Sequence, residues 1–145
     1  MGRFYYMTCR NKECRYRIEL REGPGMFLFA REKTLEEAIL NGEREAPDEF
    51  KNLLKSGHRL DIVGNYLCPT CQEWKVENYP YILELIKASP YGTIRDYKVH
   101  FLNGNPKCEK CGGELEFIIR PRSGKNRCPK CGTDNMIASR FGYYD

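Results

Sequence analysis

Eight cysteines stand in four close pairs, Cys9/Cys14, Cys68/Cys71, Cys108/Cys111 and Cys128/Cys131. The chemistry such pairs offer is metal ligation. A Cys-x-x-Cys turn aims both sulfurs at one ion, and two such turns complete the tetrahedron of thiolates that a structural zinc ion takes. Four pairs therefore predict two four-thiolate sites and two bound Zn2+. Iron is the alternative, because a four-cysteine cage accepts either metal. Sixteen residues separate Cys111 from Cys128, within the spacing of about 15–20 residues that marks a complete zinc site. Local pairing is the expectation: Cys108, Cys111, Cys128 and Cys131 in one site, and Cys9, Cys14, Cys68 and Cys71 in the other.

Four disulfides are the competing use of the same residues. Met1–Arg10 has no apolar signal-peptide core, so nothing routes the chain to an oxidising compartment, and the expectation is a cytoplasmic protein with metal-held thiolates. No apolar run reaches the length of a membrane span. Cys68-Pro69-Thr70-Cys71 has the spacing of a thioredoxin-type motif. Gln72–Val76 after it reads as strand, however, where that motif needs the start of a helix. The chain has no Cys-x-x-Cys-His haem attachment run, no glycine-rich phosphate loop and no His-Glu-x-x-His pattern. His58 and His100 are not needed as ligands. A catalytic zinc keeps an open coordination position, whereas eight cysteines fill two closed spheres, so enzymatic chemistry is the lesser reading.

The formal charge of +4 counts every cysteine as neutral. A tetrathiolate around a divalent ion carries a formal −2, so two such centres offset that excess. The distribution is uneven: residues 1–31 hold seven Lys/Arg against three acids, residues 104–145 eight against five, and residues 32–61 five against eight. Two basic, cysteine-bearing ends thus flank an acidic middle.

The elements that must position the cysteines are clearest in the C-terminal half. Cys108-Glu-Lys-Cys111-Gly112-Gly113 precedes the partly alternating Glu114–Ile119, a turn at Pro121–Lys125, then Cys128-Pro129-Lys130-Cys131-Gly132, with a second strand over or after Asn135–Phe141. These residues resemble a zinc ribbon and, more loosely, the rubredoxin-type knuckle. The resemblance covers about residues 105–145, and it implies that Gly112 and Gly132 take positive φ so that backbone N–H groups turn toward sulfur. The N-terminal half reads as a distorted copy. Cys9-x4-Cys14 precedes Arg15–Leu20 and Gly23-Pro24-Gly25, Cys68-Pro-Thr-Cys71 parallels Cys128-Pro-Lys-Cys131, and Arg15 and Gln72 replace the two glycines.

Fifty-three residues lie between Cys14 and Cys68. Thr34-x-x-Glu37 is a capping-box pattern with Asn41-Gly42 as its stop, and Pro47-Asp48-Glu49 opens a second helix carrying Phe50, Leu53 and Leu54 up to Ser56-Gly57. This αα-hairpin, about residues 34–57, should pack on a sheet containing Met26–Ala30 and Leu60–Val63, shielding a thin core rather than recognising a partner. Asn78–Lys87 fits helix or strand. Tyr97–Phe101 alternates as a strand, and Asn103-Gly104-Asn105-Pro106 is a hinge. The fold class is then a small, metal-stapled α+β protein with two zinc-ribbon-like units, the first carrying the helical insertion: residues 1–78, a connecting segment 79–103, and residues 104–145.

Zinc ribbons as a class point toward an adaptor that binds nucleic acid or a protein partner. A rubredoxin-like iron electron carrier is the alternative. For nucleic acid, Arg120, Arg122, Lys125 and Arg127 around the second ribbon's turn are the expected phosphate contacts. Aromatic and basic residues interleave at Arg3–Tyr6 and Arg140–Tyr144. Exposed, they would form a stacking surface for single-stranded nucleic acid; the alternative is that Phe4/Tyr6 and Phe141/Tyr143 fill ribbon cores with Tyr5 and Tyr144 outside, and about half of them are expected to pack that way.

Overall fold

The computed structural model describes residues 2–88, 90, 95–119, 127–133 and 136–144. Among these the chain forms β1 (Gly2–Cys9), β2 (Arg17–Glu22), α1 (Met26–Leu40), α2 (Asp48–Lys55), β3 (Leu60–Leu67), β4 (Trp74–Ala88), β5 (Arg95–Phe101), β6 (Glu116–Ile118) and β7 (Met136–Tyr144). The strands make two antiparallel sheets, β2-β1-β7 and β5-β4-β3-β6. The class is α+β, and no helix among the described residues is long and apolar enough to cross a membrane.

Hairpin β1–β2 surrounds the first cysteine pair and hairpin β3–β4 surrounds the second. Each hairpin gains a further strand from late in the chain. β6, following Cys108/Cys111, pairs with β3 through Asn65↔Ile118 to Leu67↔Glu116, while β7, following Cys128/Cys131, runs along β1 from Gly2↔Tyr144 to Cys9↔Met136. The expected second strand after Asn135 is therefore present, but its partner is β1 rather than β6. Residues 79–88 resolve as strand: Pro80 removes a backbone donor, and the β3–β4 register shifts by a bulge between Asp61 and Val63 around it.

The two sheets pack through one apolar layer. Met7, Leu20 and Met136 from the first meet Leu67 and Trp74 from the second, with Cys9, Cys14 and Cys128 in the same cluster. At its edge lies one buried polar joint. Asn65, 3 % exposed, accepts the Arg21 N–H at Oδ1 (2.9 Å) and donates from Nδ2 to the Arg21 carbonyl (2.7 Å). The side-chain amide thus supplies β2 with the two hydrogen bonds that a neighbouring strand would otherwise make there.

The helical insertion covers a different edge. β6 reaches only Asn65–Leu67, and among the described residues the start of β3 has no strand partner on that side. Two carboxylates of α1, one turn apart, take its place: Glu36 Oε1 accepts the Leu60 N–H (2.8 Å) and Glu32 Oε1 the Ile62 N–H (3.0 Å). A helical rise over four residues nearly matches the two-residue repeat of a strand, so the fit is geometric. Burial, with Asp61 alongside, pushes the Glu32 carboxyl up, while Arg59 pairs with its other oxygen. Ile39, Phe50, Leu53 and Leu54 then pack on Leu60, Ile62 and Ile82.

Helix α1 starts earlier than the capping box indicates. It begins directly after Gly25, so Met26–Ala30 is helix rather than strand, and Thr34 lies inside it, donating its hydroxyl to the Ala30 carbonyl (2.9 Å). The Gly23-Pro24-Gly25 break ends β2 and leaves Gly25 as N-cap. The stops at Asn41-Gly42 and Ser56-Gly57 stand where expected, both glycines at positive φ.

Asn65→Ala leaves a donor and an acceptor of Arg21 unpaired at a buried edge. Denaturant unfolding in metal-saturated buffer should show a loss of about 2–4 kcal/mol relative to the native chain.

Candidate metal centres

All eight cysteines are free and converge in two groups, Cys9/Cys14/Cys128/Cys131 and Cys68/Cys71/Cys108/Cys111. This corrects the local pairing expected from spacing. The arrangement is nested: the first pair closes with the last, and the second with the third. It follows from the sheets. Each site forms where a hairpin turn and the turn entering the distant partner strand lie at the same end of one sheet, and β7 and β6 are the strands paired to β1 and β3.

The four turns share one backbone. The N–H of the first cysteine donates to the carbonyl two residues past the second: Cys9 to Tyr16 (2.9 Å), Cys68 to Glu73 (2.9 Å), Cys108 to Gly113 (2.7 Å) and Cys128 to Thr133 (2.8 Å). The residue directly after the second cysteine has positive φ in every case: Arg15 (54°), Gln72 (57°), Gly112 (71°) and Gly132 (75°). Its N–H bonds back to the residue three before that cysteine, Asn11, Cys68, Cys108 and Cys128 respectively. In the first turn that position is Asn11 rather than a cysteine, so the two extra residues let Cys9 reach in from the end of β1. Arg15 and Gln72 accept a left-handed conformation that costs about 1–2 kcal/mol outside glycine. The turn geometry therefore overrides residue preference.

In the first group Cys9 Sγ lies 3.5 Å from Cys131 Sγ and Cys14 Sγ 3.6 Å from Cys128 Sγ; in the second, Cys68 Sγ lies 3.5 Å from Cys111 Sγ. All sulfurs of a group lie within 4.8 Å of one another. A tetrahedral ion with metal–sulfur bonds of about 2.3 Å needs sulfurs about 3.8 Å apart, so both groups fit one ion with four ligands each. No histidine belongs to either group. His100 is buried, with Nε2 3.1 Å from Glu84 Oε1.

Donors converge on the sulfurs. Cys71 N–H points to Cys68 Sγ and Gly113 N–H to Cys111 Sγ, both at 3.4 Å, and Lys75 Nζ lies 3.7 Å from Cys108 Sγ. Backbone N–H groups of Cys111 and Lys110 hold the Cys108 thiol down at about 6, and the Thr133 hydroxyl and N–H do the same for Cys131. In the opposite direction, hydrogen bonds with Cys111 and Cys68 push Cys71 up, and burial raises Cys128. Each metal-free group thus has a thiol readily ionised beside one that resists ionisation, and a cation is what lets all four ionise together. Lys75 and Thr133 carry no ligand-like pattern in the sequence; their proximity to sulfur depends on the folded turns.

The two sites differ at the surface. Around the first, Arg10, Lys12, Arg15, Arg127 and Lys130 are exposed, with Glu13 the acid among the described residues there. Lys130 Nζ also reaches the Cys14 carbonyl (3.0 Å), tying the two turns together. Around the second, Lys75 and Lys110 are interspersed with Glu73 and Glu109, and Lys110 pairs with Glu73. Of the expected phosphate contacts, Arg127 is exposed directly before Cys128, whereas Arg120, Arg122 and Lys125 lie outside the described residues.

No protein-family model matches the chain, and neither a curated protein nor a solved structure matches it.

Nested ligation has a signature that local pairing lacks. Cys14→Ser and Cys128→Ser should each remove one site, and together they should remove no more than either alone, leaving about one metal per chain. Cys14→Ser with Cys68→Ser should abolish both, where local pairing would lose only one. Absorption of cobalt-substituted protein in the thiolate-to-metal region reads each site.

Proposed function

We propose that the chain is a non-enzymatic zinc protein in which two structural Zn2+ ions staple two nested zinc-ribbon units, and that it binds nucleic acid through the first of them. A structural, non-catalytic metal is supported by the sulfur geometry and by coordination spheres that four cysteines close, with no position left for a substrate. The observation that carries the nucleic-acid reading is the nesting itself. Two basic segments more than a hundred residues apart in sequence share one metal site, so Arg10, Lys12 and Arg15 join Arg127 and Lys130 on a single exposed tip. The matching tip of the second unit carries alternating charges and lacks this excess. A cluster of cations is the electrostatic footprint of a phosphate backbone, and it exceeds what is needed to offset one −2 centre.

Elemental analysis of the native protein should give two zinc ions per chain in a colourless sample. A red, iron-loaded protein would instead favour a rubredoxin-like electron carrier. Changing Arg10, Lys12 and Arg127 together to Gln should weaken nucleic-acid binding and lower the slope of log affinity against log salt by about 0.7–0.9 for each phosphate the variant leaves unneutralised. Absence of binding by the native protein at low salt would sink the reading and favour a protein partner.

A further inference from the structure

The outward face of the β2-β1-β7 sheet has an arrangement that its metal-binding role does not require. Met7, Leu20 and Met136 point into the core, so the alternate positions Phe4, Tyr6, Arg17 and Arg21 point the other way. Of the two arrangements open to Phe4 and Tyr6, stacking surface or core, they take the one outside the core cluster. The bulge between Phe4 and Tyr5 on the β1–β7 side sets the phase of the row.

Three rings lie along that face. The Tyr144 ring crosses β1 above Gly2, where an added Cβ would come within 2.3 Å of it, and its hydroxyl donates to the Gly23 carbonyl. The Phe4 ring lies reciprocally over Gly142, where an added Cβ would meet it at 3.0 Å. Glycine at both positions lets the rings settle onto the strands instead of standing off them. Tyr6 follows, edge-to-face with Phe4 at 5.8 Å and 79°. Two guanidinium groups cover the ends of the row: Arg17 stands 3.5 Å from the Tyr6 centroid and Arg21 5.2 Å from that of Tyr144. Glu19 takes the Arg21 Nε–H and the Tyr6 hydroxyl, fixing both in place.

We propose that this face is a stacking platform for single-stranded nucleic acid, with bases on Phe4 and on the arginines layered over Tyr6 and Tyr144, and the phosphate chain running along β1 to the basic tip beyond Cys9. The inference rests on the nucleic-acid reading above and adds which strand state is bound and where. Aromatic rings and guanidinium planes both offer faces to unpaired bases, and stacking of this kind tolerates any sequence. A duplex keeps its bases stacked on each other. Reading it takes a helix or a two-stranded ribbon inserted in the major groove, and a broad three-stranded face presents neither.

The test uses zinc-loaded full-length chain and fluorescence anisotropy with three probes of about 12 nucleotides, a length within the site sizes of such platforms: single-stranded RNA, single-stranded DNA and a DNA duplex. One or both single strands should bind at least tenfold more tightly than the duplex, and the two single-strand arms identify the natural sugar. Tyr6→Leu and Phe4→Leu should each lose about fivefold or more in affinity, the effect of removing one stacked base, with an unchanged salt slope, while Tyr6→Phe retains binding. Metal content and melting temperature of each variant check the fold. Photo-crosslinking of native protein to a 4-thiouridine strand, mapped by mass spectrometry, should label Phe4, Tyr6 or Tyr144 whether or not a variant folds. Equal binding of duplex and single strands, or crosslinks confined to the tip, would overturn the platform and leave the nucleic-acid reading standing. No binding to any probe would overturn both.

Discussion

The closure of Cys9 and Cys14 with Cys128 and Cys131 is the constraint on which the other contacts depend. It brings together two distant stretches of the chain, places β7 beside β1, and sets the sulfur cluster inside the layer where Met7, Leu20, Leu67, Trp74 and Met136 join the sheets. The inner site, Cys68/Cys71 with Cys108/Cys111, does the same for β6 and β3 and borders the aromatic cluster of Tyr66, Tyr79, Phe101 and Phe117. β7 and β6 are far in sequence from the hairpins they extend, so each hairpin depends on a distant segment. An ion in each cysteine group would be strong enough to hold it, since a structural zinc site supplies on the order of 10–16 kcal/mol, above the net stability of an ordinary domain.

Around these centres the polar groups are arranged economically. One turn geometry, repeated four times, directs N–H groups toward sulfur and imposes a left-handed conformation even on Arg15 and Gln72. Exposed strand edges are closed by side chains. Asn65 does this for β2, and Glu32 with Glu36 for β3. In both places side chains supply hydrogen bonds that a neighbouring strand would otherwise make.

The helical insertion mainly shields core, with Phe50, Leu53 and Leu54 of α2 buried over the second sheet. Its first helix covers less. Between α1 and β4 runs a groove of about 730 Å³ walled by Met26, Ala30, Leu35, Ile62 and Pro80. α1 serves the fold through Ile39 in the core and through the carboxylates it lends to β3, the second a role that an apolar-periodicity reading of the helix does not reveal.

Several features are legible in the residues alone. The eight clustering cysteines are, because Cys-x-x-Cys is a local device whose turn needs only neighbouring residues. The stops of both helices are, because Asn41-Gly42 and Ser56-Gly57 act within a few residues of themselves. The start of α1 is not, since Thr34 can cap a helix or bond back inside one, and only the chain before it decides. Which cysteines meet was decided by the tertiary structure. Loop-closure entropy grows only logarithmically, so nested pairing costs only about 1 kcal/mol more than local pairing. That small difference is outweighed by eight β1–β7 register pairs and a shared apolar layer, contacts between residues more than a hundred positions apart that no local pattern encodes. The same long-range pairing merged two basic ends into one tip and, by burying Met7 against the second sheet, turned Phe4 and Tyr6 outward, because alternation fixes which residues share a face but not which face meets the core.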